Sequence, residues 1–380
     1  MLTLDIDLAA IAGNAAAVKG VVGPNCELMA VVKANGYGLG ASRVARAALE
    51  GGATRLAVAR VEEGLLLRRE GLTCPILVMG YVEPGEGTAA AQAGLTLVVH
   101  RERTAEELEK AAATLGLPLG HLSVHVKVDT GMGRFGCSVA EFMEVAAYVS
   151  RCPHLRLEGL MTHFASADSP DLTFARAQLE TFEQVLEQAR SSGVDLEIVH
   201  AANSAATLAL PEARFNMVRV GIALSGHYPA THLREAVRLQ PAATLRSNLA
   251  RVFSVGPGDS VGYGRTWLAE RPSIIGIVPG GYGDGYRRVF SNLAAVLVRG
   301  RRCPVVGRVS MDQSTIDLTH VPEAQEGDEA VLFGRQGDAE IAVDELADWA
   351  GTISYEILTG ITARVPRRYG DVKRTRKTDA

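Results

Sequence analysis

Eight short apolar segments, each followed by a longer amphipathic one, occupy the first part of this chain and restrict the folds open to it. Between them lie segments such as GASRVARAALEGG, whose apolar residues recur at helical spacing and whose end carries glycine. Strands that are apolar on both faces and alternate with helices indicate a parallel sheet. The pattern predicts a (β/α)8 TIM-type barrel, with an open doubly wound sheet as the alternative. The eight segments are ELMAVVK, RLAVAR, CPILVMG, LTLVVH, LSVHVKVD, LEGLMTHF, LEIVHAA and MVRVGIAL.

The pattern changes near residue 230, where short alternating runs separated by Gly, Pro and Asp begin. Examples are TLRSNLARVFSVGPGDSVGYGRTW and AAVLVRGRRCPVVGRVSMDQSTIDL, which are typical of β structure. One helix is predicted late, in AVDELADWAGTISYEILTGI. We therefore expect a barrel over residues 1–235 and a mainly β domain over residues 236–380.

Charge and cysteine content exclude several kinds of protein. The net charge of −4 offers no basic surface for nucleic acid, and no apolar run approaches the ~20 residues of a membrane span. The start of the chain, MLTLDIDLAA, carries aspartates where a signal peptide carries basic residues. Five cysteines without a CxxC pair argue against a disulfide framework and a metal site. We expect a cytoplasmic protein without metal, nucleic-acid or membrane partners.

Polar residues gather where the predicted barrel strands end, which is where barrel enzymes place their chemistry. They occur after five of the strands, and packing alone does not explain so many at one end. These residues are Lys33 after the first strand, Lys127, Asp129 and Arg134 at the fifth, His163 at the sixth, Asn203 and Ser204 after the seventh, and Arg219, Gly221 and Ile222 at the eighth.

Two of these groups together indicate a cofactor. Loops after the last two strands commonly bind phosphate in such barrels, and Asn203, Ser204 and Gly221 offer donors there, although Asn203–Ser204 alone also fits a helix N-cap. Lys33 lies between apolar and glycine-rich residues, so desolvation should lower its pKa and free the amine to attack a carbonyl. The alternative for Lys33 is an ordinary surface lysine. A Schiff-base lysine beside a phosphate site predicts pyridoxal 5′-phosphate, with Tyr37 directed at the phosphate.

The segment AVVKANGYGLG resembles the cofactor-attachment motif of alanine racemases, and the similarity continues along nearly the whole chain. KVDTGMGRFG, HAANSAA, VRVGIALSG, VGYGRTW, GYGDGYRR, GRVSMDQ and ISYEILTGITARVPRRY follow in the order found in that family. The family has an N-terminal barrel and a β domain and forms head-to-tail homodimers with shared active sites. The resemblance implies conversion between L-alanine and D-alanine, with D-alanine supplied for the cell wall.

The resemblance also implies roles for four residues. Lys33 would carry the cofactor and act on one face of the substrate Cα, taking the proton from D-alanine. Tyr263, from the partner subunit, would act on the opposite face, because a single base would return the proton to the side it came from. His163 and Arg219 would form a chain of hydrogen-bond donors to the Tyr263 hydroxyl. Arg219 would also donate a hydrogen bond to the pyridine nitrogen and leave that nitrogen unprotonated. The ring would then be a weaker electron sink than a ring protonated beside a carboxylate, and transamination would be suppressed.

Further roles follow from the same resemblance. Arg134 would bind the substrate carboxylate or the cofactor's phenolic oxygen, held in place by Lys127 if that lysine is carbamylated. Met311 and Asp312 would contact the substrate carboxylate, and Ser310 replaces the cysteine that the family usually has. Tyr282 and Asp284 would line the approach to the pocket. Tyr355 would bind phosphate and narrow the pocket toward alanine.

Several alternatives stay open from the sequence. They are a racemase that also accepts serine, an amino-acid decarboxylase of the same barrel type, and a non-catalytic pyridoxal-phosphate carrier. Decarboxylases place an acidic residue at the pyridine nitrogen, which Arg219 disfavours. A carrier has no need of the second base in VGYGRTW.

Overall fold

A computed structural model describes residues 1–83 and 85–370 of the chain and divides it into two compact units. Of the described residues, the barrel unit contains those of Ala10–Gly36 and Ala41–Gln240, and the β unit contains those of Met1–Ala9, Tyr37–Gly40 and 241–370. This division differs from the predicted cut at residue 235, because the start of the chain forms a strand of the β unit, β1 (Thr3–Asp7).

The barrel unit contains eight parallel strands, and each one coincides with a predicted segment. The fold class expected from the sequence is therefore confirmed. Valine, isoleucine and leucine fill these strands, which suits a sheet that is covered on both faces. The strands are β2 (Glu27–Val31), β3 (Arg55–Val58), β4 (Ile76–Val78), β5 (Thr96–Val99), β6 (Leu122–Lys127), β7 (Leu155–Met161), β8 (Ile198–His200) and β9 (Met217–Val220).

Adjacent strands pair in chain order from β2 to β8, and β9 returns to pair with β2. The remaining seam, between β8 and β9, is joined by other hydrogen bonds. The Arg219 N–H donates to the carbonyl of Ala202 at 3.0 Å. Asn216 accepts from the Val199 N–H at 2.8 Å and donates to the Glu197 carbonyl at 2.7 Å. The sheet is therefore almost closed.

Amphipathic helices alternate with these strands. The longest, Thr173–Ser191, buries Leu179, Phe182, Leu186 and Ala189 at helical spacing. The helices in this part of the chain are Leu8–Val22, Ala41–Glu50, Val61–Arg69, Glu86–Gln92, Glu102–Thr114, Phe142–Arg151, Thr173–Ser191 and Ser204–Ala209.

The β unit contains a seven-stranded sheet, a three-stranded sheet and a two-stranded ribbon. In the largest sheet β1 pairs antiparallel with β10 (Ala243–Asn248) and parallel with β20 (Arg367–Gly370), so both ends of the described chain share one sheet. Beside β1, the seven-stranded sheet contains β10 (Ala243–Asn248), β15 (Ala295–Val298), β16 (Arg301–Pro304), β18 (Glu329–Gln336), β19 (Ala339–Ile341) and β20 (Arg367–Gly370). The smaller sheets contain β11 (Arg251–Val255), β14 (Ser273–Pro279) and β17 (Gln313–Asp317), and β12 (Ser260–Val261) with β13 (Trp267–Leu268).

The single helix predicted late in the chain is wrong in detail, because two helices form there. Val343–Ala350 ends at Gly351, whose φ of 62° is left-handed, and Ser354–Thr359 follows. Glycine adopts this conformation with little strain and commonly ends a helix. Across residues 1–83 and 85–370, no helix combines the length and apolar character that crossing a bilayer requires.

Candidate active site

The barrel unit places the predicted residues at the carboxyl ends of its strands. Lys33 follows β2, Lys127 ends β6 and His163 follows β7. Arg219 lies in β9, directly before the loop that contains Gly221 and Ile222. In a barrel of this kind the carboxyl ends of the strands form one face, where ligands bind.

Lys33 begins a strained left-handed turn. The next three residues, Ala34, Asn35 and Gly36, have φ values of 52°, 55° and 64°. Side chains other than glycine lose roughly 1–2 kcal/mol each in this conformation, and such strain concentrates at functional sites. The Lys33 side chain is half-buried, and burial together with nearby positive charge lowers its pKa. A larger fraction of its amine is therefore neutral, and neutral amines are nucleophiles.

Glu63 holds this turn in place. One carboxylate oxygen accepts from the Ala34 N–H at 2.6 Å, and the other accepts from the N–H groups of Ala59 and Arg60 at 2.8 and 3.1 Å. A single side chain thus connects the strained turn after β2 to the loop after β3.

Asp129 shapes the loop after β6. Its carboxylate accepts from the N–H groups of Gly131, Gly133 and Arg134 at 2.9, 3.1 and 3.0 Å. Burial alone would raise the pKa of Asp129, but these backbone donors lower it below the ordinary value. The loop therefore presents the exposed Arg134 side chain just beyond the strand end.

Lys127 is buried beneath this loop, with its Nζ 5.3 Å from the centre of the Phe135 ring. Burial lowers its pKa to about 8, and the charges of Arg219, Arg134 and Lys33 contribute. The predicted cationic residues therefore lie close enough to repel one another. An anion would be stabilised among them.

Arg219 is buried and is held by neutral groups. Its two Nη atoms donate to the carbonyls of His200, Thr162 and Ala201 at 2.8–3.0 Å, and to the Nδ1 atoms of His200 and His163 at 3.0 and 3.1 Å. Burial lowers its pKa to about 9, so it stays charged near neutrality. Among the described residues, no carboxylate forms an ion pair with Arg219, and no group accepts a hydrogen bond from its Nε–H. That N–H is left for a ligand.

Arg219 also fixes the proton on His163. A guanidinium only donates, so the Nδ1 atom of His163 must accept. Burial lowers the pKa of His163 well below its ordinary value, and the charges of Arg219 and Lys127 add to this effect. His163 is therefore a neutral imidazole whose proton lies on Nε2, and Nε2–H is a donor.

The loops after β8 and β9 meet at a hydrogen bond. The Gly221 N–H donates to the Ser204 Oγ atom at 3.0 Å, and Ile222 begins a short 3-10 helix, Ile222–Ser225. Asn203 caps the helix Ser204–Ala209, because its Oδ1 atom accepts from the Ala206 N–H at 2.9 Å. The N-cap interpretation thus holds for Asn203, while Ser204 and Gly221 converge on one point.

In the β unit Tyr263 is an exposed aromatic side chain, with 72% of its surface accessible. It begins a short 3-10 turn, Tyr263–Arg265, between Gly262 and Gly264, whose φ values are 79° and 72°. Burying a large side chain is favourable. An apolar ring projecting from a tight turn therefore suits a contact with another molecule.

Four other predicted residues of the β unit lie together, namely Tyr282, Asp284, Met311 and Asp312. The Tyr282 N–H donates to the Ser310 carbonyl at 3.0 Å, and the Gly283 N–H donates to the Met311 carbonyl at 2.8 Å. Arg364 pairs with Asp312 at 2.7 Å and lies 3.5 Å from Asp284. The Met311 N–H has no acceptor among the described residues.

Tyr37 and Tyr355, also of the β unit, have ring centres 6.0 Å apart. Gly38 permits this approach, since a Cβ atom there would collide with the Leu358 carbonyl. Burial raises the pKa of Tyr37 to about 12, so its hydroxyl keeps its proton and can donate.

Models of known domain families match both parts of the chain. The alanine racemase N-terminal domain matches residues 6–229, and the alanine racemase C-terminal domain matches residues 242–369. This chain belongs to the alanine racemase family. Among curated alanine racemases, that of Symbiobacterium thermophilum is 46% identical over 366 residues, which cover 96% of each chain. Alanine racemase 2 of Bacillus subtilis is 41% identical over 96% of this chain and 94% of its own length.

Solved alanine racemase structures have the same fold. The enzyme from a D-cycloserine-producing Streptomyces lavendulae superposes with a TM-score of 0.92 at 38% identity, covering 97% of each chain. The enzyme of Bacillus anthracis with bound L-Ala-P gives 0.90 at 40% identity over 97% of this chain and 95% of that one. The resemblance expected from the motifs is confirmed. These comparisons support an isomerase and give no support to a decarboxylase or a carrier.

Sequence reasoning did not identify Glu63 or His200. Glu63 lies in the first turn of the helix Val61–Arg69, where an acidic residue is expected in any case. His200 ends β8 as its final residue. The sequence signal for His200 was that a histidine occurs in a segment whose other residues predict a buried strand.

Proposed function

We propose that this chain interconverts L-alanine and D-alanine, using pyridoxal 5′-phosphate held at the carboxyl ends of the barrel strands. One observation carries the proposal. The barrel unit combines the Lys33 amine, whose pKa is lowered, with a buried Arg219 that no carboxylate neutralises among the described residues. This combination supports a carbonyl cofactor whose ring nitrogen accepts a hydrogen bond without being protonated.

The residues present fit this cofactor. Lys33 would attach it covalently, and the Nε–H of Arg219 would donate to the ring nitrogen. Ser204, Gly221 and Ile222 would hold the phosphate. The Ser204 hydroxyl lies next to the backbone of Gly221 and Ile222, where the loops after β8 and β9 meet. Asn203, Tyr37 and Tyr355 are proposed as further phosphate contacts. When bound, the cofactor supplies an electron sink that makes the Cα hydrogen of the amino acid acidic.

Two side chains would move the Cα proton, one on each face. The Lys33 amine would act on the face from which D-alanine loses its proton, and the Tyr263 hydroxyl on the face used by L-alanine. A tyrosine hydroxyl has an ordinary pKa of about 10, so a donor is needed to stabilise its anion. The Nε2–H of His163, oriented by Arg219, would supply that donor.

Substrate binding would use cations and a free backbone donor. Arg134 is proposed to bind the carboxylate of the substrate or the phenolic oxygen of the cofactor. The Met311 N–H, which has no acceptor among the described residues, and neighbouring Asp312 would contact the carboxylate, with Tyr282 and Asp284 at the approach to the pocket. Tyr355 would narrow the pocket toward alanine rather than serine.

We propose a homodimer in which Tyr263, Met311 and Asp312 complete the active site of the partner subunit. Tyr263, Tyr282 and Met311 are 72%, 42% and 51% exposed in the single chain, so each could bury apolar surface against a partner subunit. The cytoplasm is the proposed compartment, because all five cysteines are free thiols. D-alanine for peptidoglycan is the proposed use of the product.

Borohydride labelling tests the cofactor assignment. The purified protein should be yellow, and reduction followed by proteolysis should leave the cofactor on the peptide containing Lys33. Lys33→Ala should lose the label, while Lys110→Ala, at an exposed helix position, should keep it. Label found on any other lysine would refute the assignment.

Lys127 is proposed to be carbamylated by carbon dioxide. The neutral amine forms an N–C bond to carbon dioxide and releases one proton to water, leaving an anion among Arg134, Arg219 and Lys33. With a pKa of about 8, about one Lys127 in ten is neutral at pH 7, against fewer than about one in a thousand for an ordinary lysine.

The carbamate should therefore increase with pH. With 13C-labelled carbon dioxide, a protein-bound carbamate signal should grow between pH 6 and 8 as the amine loses its proton. It should vanish in Lys127→Ala and persist in Lys110→Ala. A signal that is absent from the wild type at pH 8, or unaffected by Lys127→Ala, would contradict this proposal.

A further inference from the structure

A line of polar side chains runs through the interior of the barrel unit behind Arg219. The Arg219 Nη1 atom is 3.0 Å from His200 Nδ1, and His200 Nε2 is 2.8 Å from His125 Nδ1. His125 Nε2 is 3.0 Å from Glu158 Oε2, and Glu158 Oε1 is 3.1 Å from Arg55 Nη1. All five side chains are buried.

The two ends of the line determine where every proton lies. A guanidinium only donates, so His200 Nδ1 accepts from Arg219 and its proton is on Nε2. That Nε2–H donates to His125 Nδ1, so the proton of His125 is also on Nε2. The last donor meets the carboxylate of Glu158, which only accepts. One arrangement of protons, with both imidazoles neutral, satisfies every bond.

The ionisation of these groups agrees with this arrangement. Burial lowers the pKa of His125 and moves that of His200 well below its ordinary value, so both rings stay neutral. Burial alone would raise the pKa of Glu158, but the hydrogen bond with His125 and the charge of Arg55 lower it below the ordinary value. Glu158 is therefore ionised throughout the neutral range and remains an acceptor.

The strands are built around this contact. The register of β6 against β7 shifts between Val124 and His125. A Cβ atom at Gly159 would lie 3.0 Å from two atoms of the His125 ring, which is closer than side chains normally approach. The absence of a side chain at Gly159 thus leaves room for the imidazole beside Glu158.

We propose that Glu158 is a positioning residue for Arg219 and acts through His125 and His200. Its carboxylate selects the imidazole tautomers that present an acceptor to Arg219. With the opposite tautomers, His200 would point Nδ1–H at Arg219 Nη1–H, and two donors would face each other. The guanidinium would then have to turn, and its Nε–H would turn with it. The imidazole tautomers do not depend on the proposed function, whereas the effect of Glu158 on the bound cofactor rests on it.

Glu158→Gln is the sharpest test, because an amide would reverse the line. Arg55 and Arg156 both donate to Oε1 at 3.1 Å, so the glutamine carbonyl would take that position. Its NH2 group would then face His125 Nε2, which must become the acceptor. His125 would donate from Nδ1 to His200 Nε2, and His200 Nδ1–H would meet Arg219.

Side-chain 15N NMR of the full, histidine-labelled chain reads the tautomers directly, with or without cofactor. In the wild type His125 and His200 should both carry the proton on Nε2 from pH 6 to 8, where Arg219 stays charged. In Glu158→Gln both should carry it on Nδ1. The absorption maximum of the bound cofactor should shift, and kcat should fall on the order of tenfold, the effect of one charged hydrogen bond.

Glu109→Gln is the matched control. Glu109 bonds to the ring of His154 at 2.6 Å outside this line, so its loss should change the His154 signals and leave His200, the absorption maximum and kcat unchanged.

Wild-type rings that are charged or protonated on Nδ1 would overturn the proposal even if Glu158→Gln failed to fold. Unchanged tautomers in Glu158→Gln would overturn it too, as would switched tautomers with unchanged absorption. Because the NMR signals need no cofactor, they test the line even if Lys33 labelling fails.

Discussion

Tyr263→Phe is expected to slow racemisation by roughly 10²- to 10⁴-fold, the usual contribution of a general acid–base group. The loss must be equal in both directions. L-alanine and D-alanine have the same free energy, and a catalyst cannot change their equilibrium, so kcat/KM for the two enantiomers stays equal in any variant. Only one hydroxyl is removed, and it projects from the surface of the β unit.

Initial rates from both enantiomers measure this loss. Tyr148→Phe is the matched control, because Tyr148 lies near the end of the helix Phe142–Arg151 and not in a loop at the carboxyl ends of the barrel strands. It should retain full activity. A Tyr263→Phe enzyme with more than about a tenth of wild-type activity would show that the hydroxyl is not a proton-transfer group.

Mixed dimers are expected to restore activity from two inactive variants. Lys33→Ala and Tyr263→Phe should each be nearly inactive alone. If each active site takes its lysine from one subunit and its tyrosine from the other, a mixed dimer contains one site with both defects and one intact site. Random pairing makes half of the dimers mixed, so about a quarter of wild-type activity should return.

Co-expression with two different affinity tags allows the mixed dimers to be isolated and assayed. Mixing Lys33→Ala with Arg219→Lys is the control. Both of these residues belong to the barrel unit, so every site of that mixed dimer keeps one defect, and its activity should not exceed that of the Arg219→Lys dimer. Isolated Lys33→Ala/Tyr263→Phe dimers without activity would mean that each active site lies within one chain.

The barrel was predictable because its strands carry a local signal. Each segment, from ELMAVVK to MVRVGIAL, is apolar on both faces and is followed by a helical pattern. The position of β1 was not predictable, since Leu4 pairs with Arg367 across almost the whole chain. An alternating segment such as LTLDID predicts a strand without indicating its partners.

The candidate site shows the same division. Lys33 was identifiable because a charged ammonium group is unfavourable between apolar residues and a glycine-rich turn, so its presence there calls for a function. Glu63 was not, because a glutamate in a first helical turn needs no further explanation. The line from Arg219 to Glu158 joins β9, β8, β6 and β7 through side chains. Which buried residues face one another depends on register and on the shift beside His125, and neither is visible in sequence.

Isotope exchange in the Tyr263→Phe enzyme tests most directly whether two side chains act on opposite faces of Cα. In heavy water this variant should exchange the Cα hydrogen of D-alanine, with retained configuration, through Lys33. It should leave the Cα hydrogen of L-alanine in place. Equal exchange into both enantiomers, or faster exchange into L-alanine, would contradict the assignment of Lys33 and Tyr263 to separate faces.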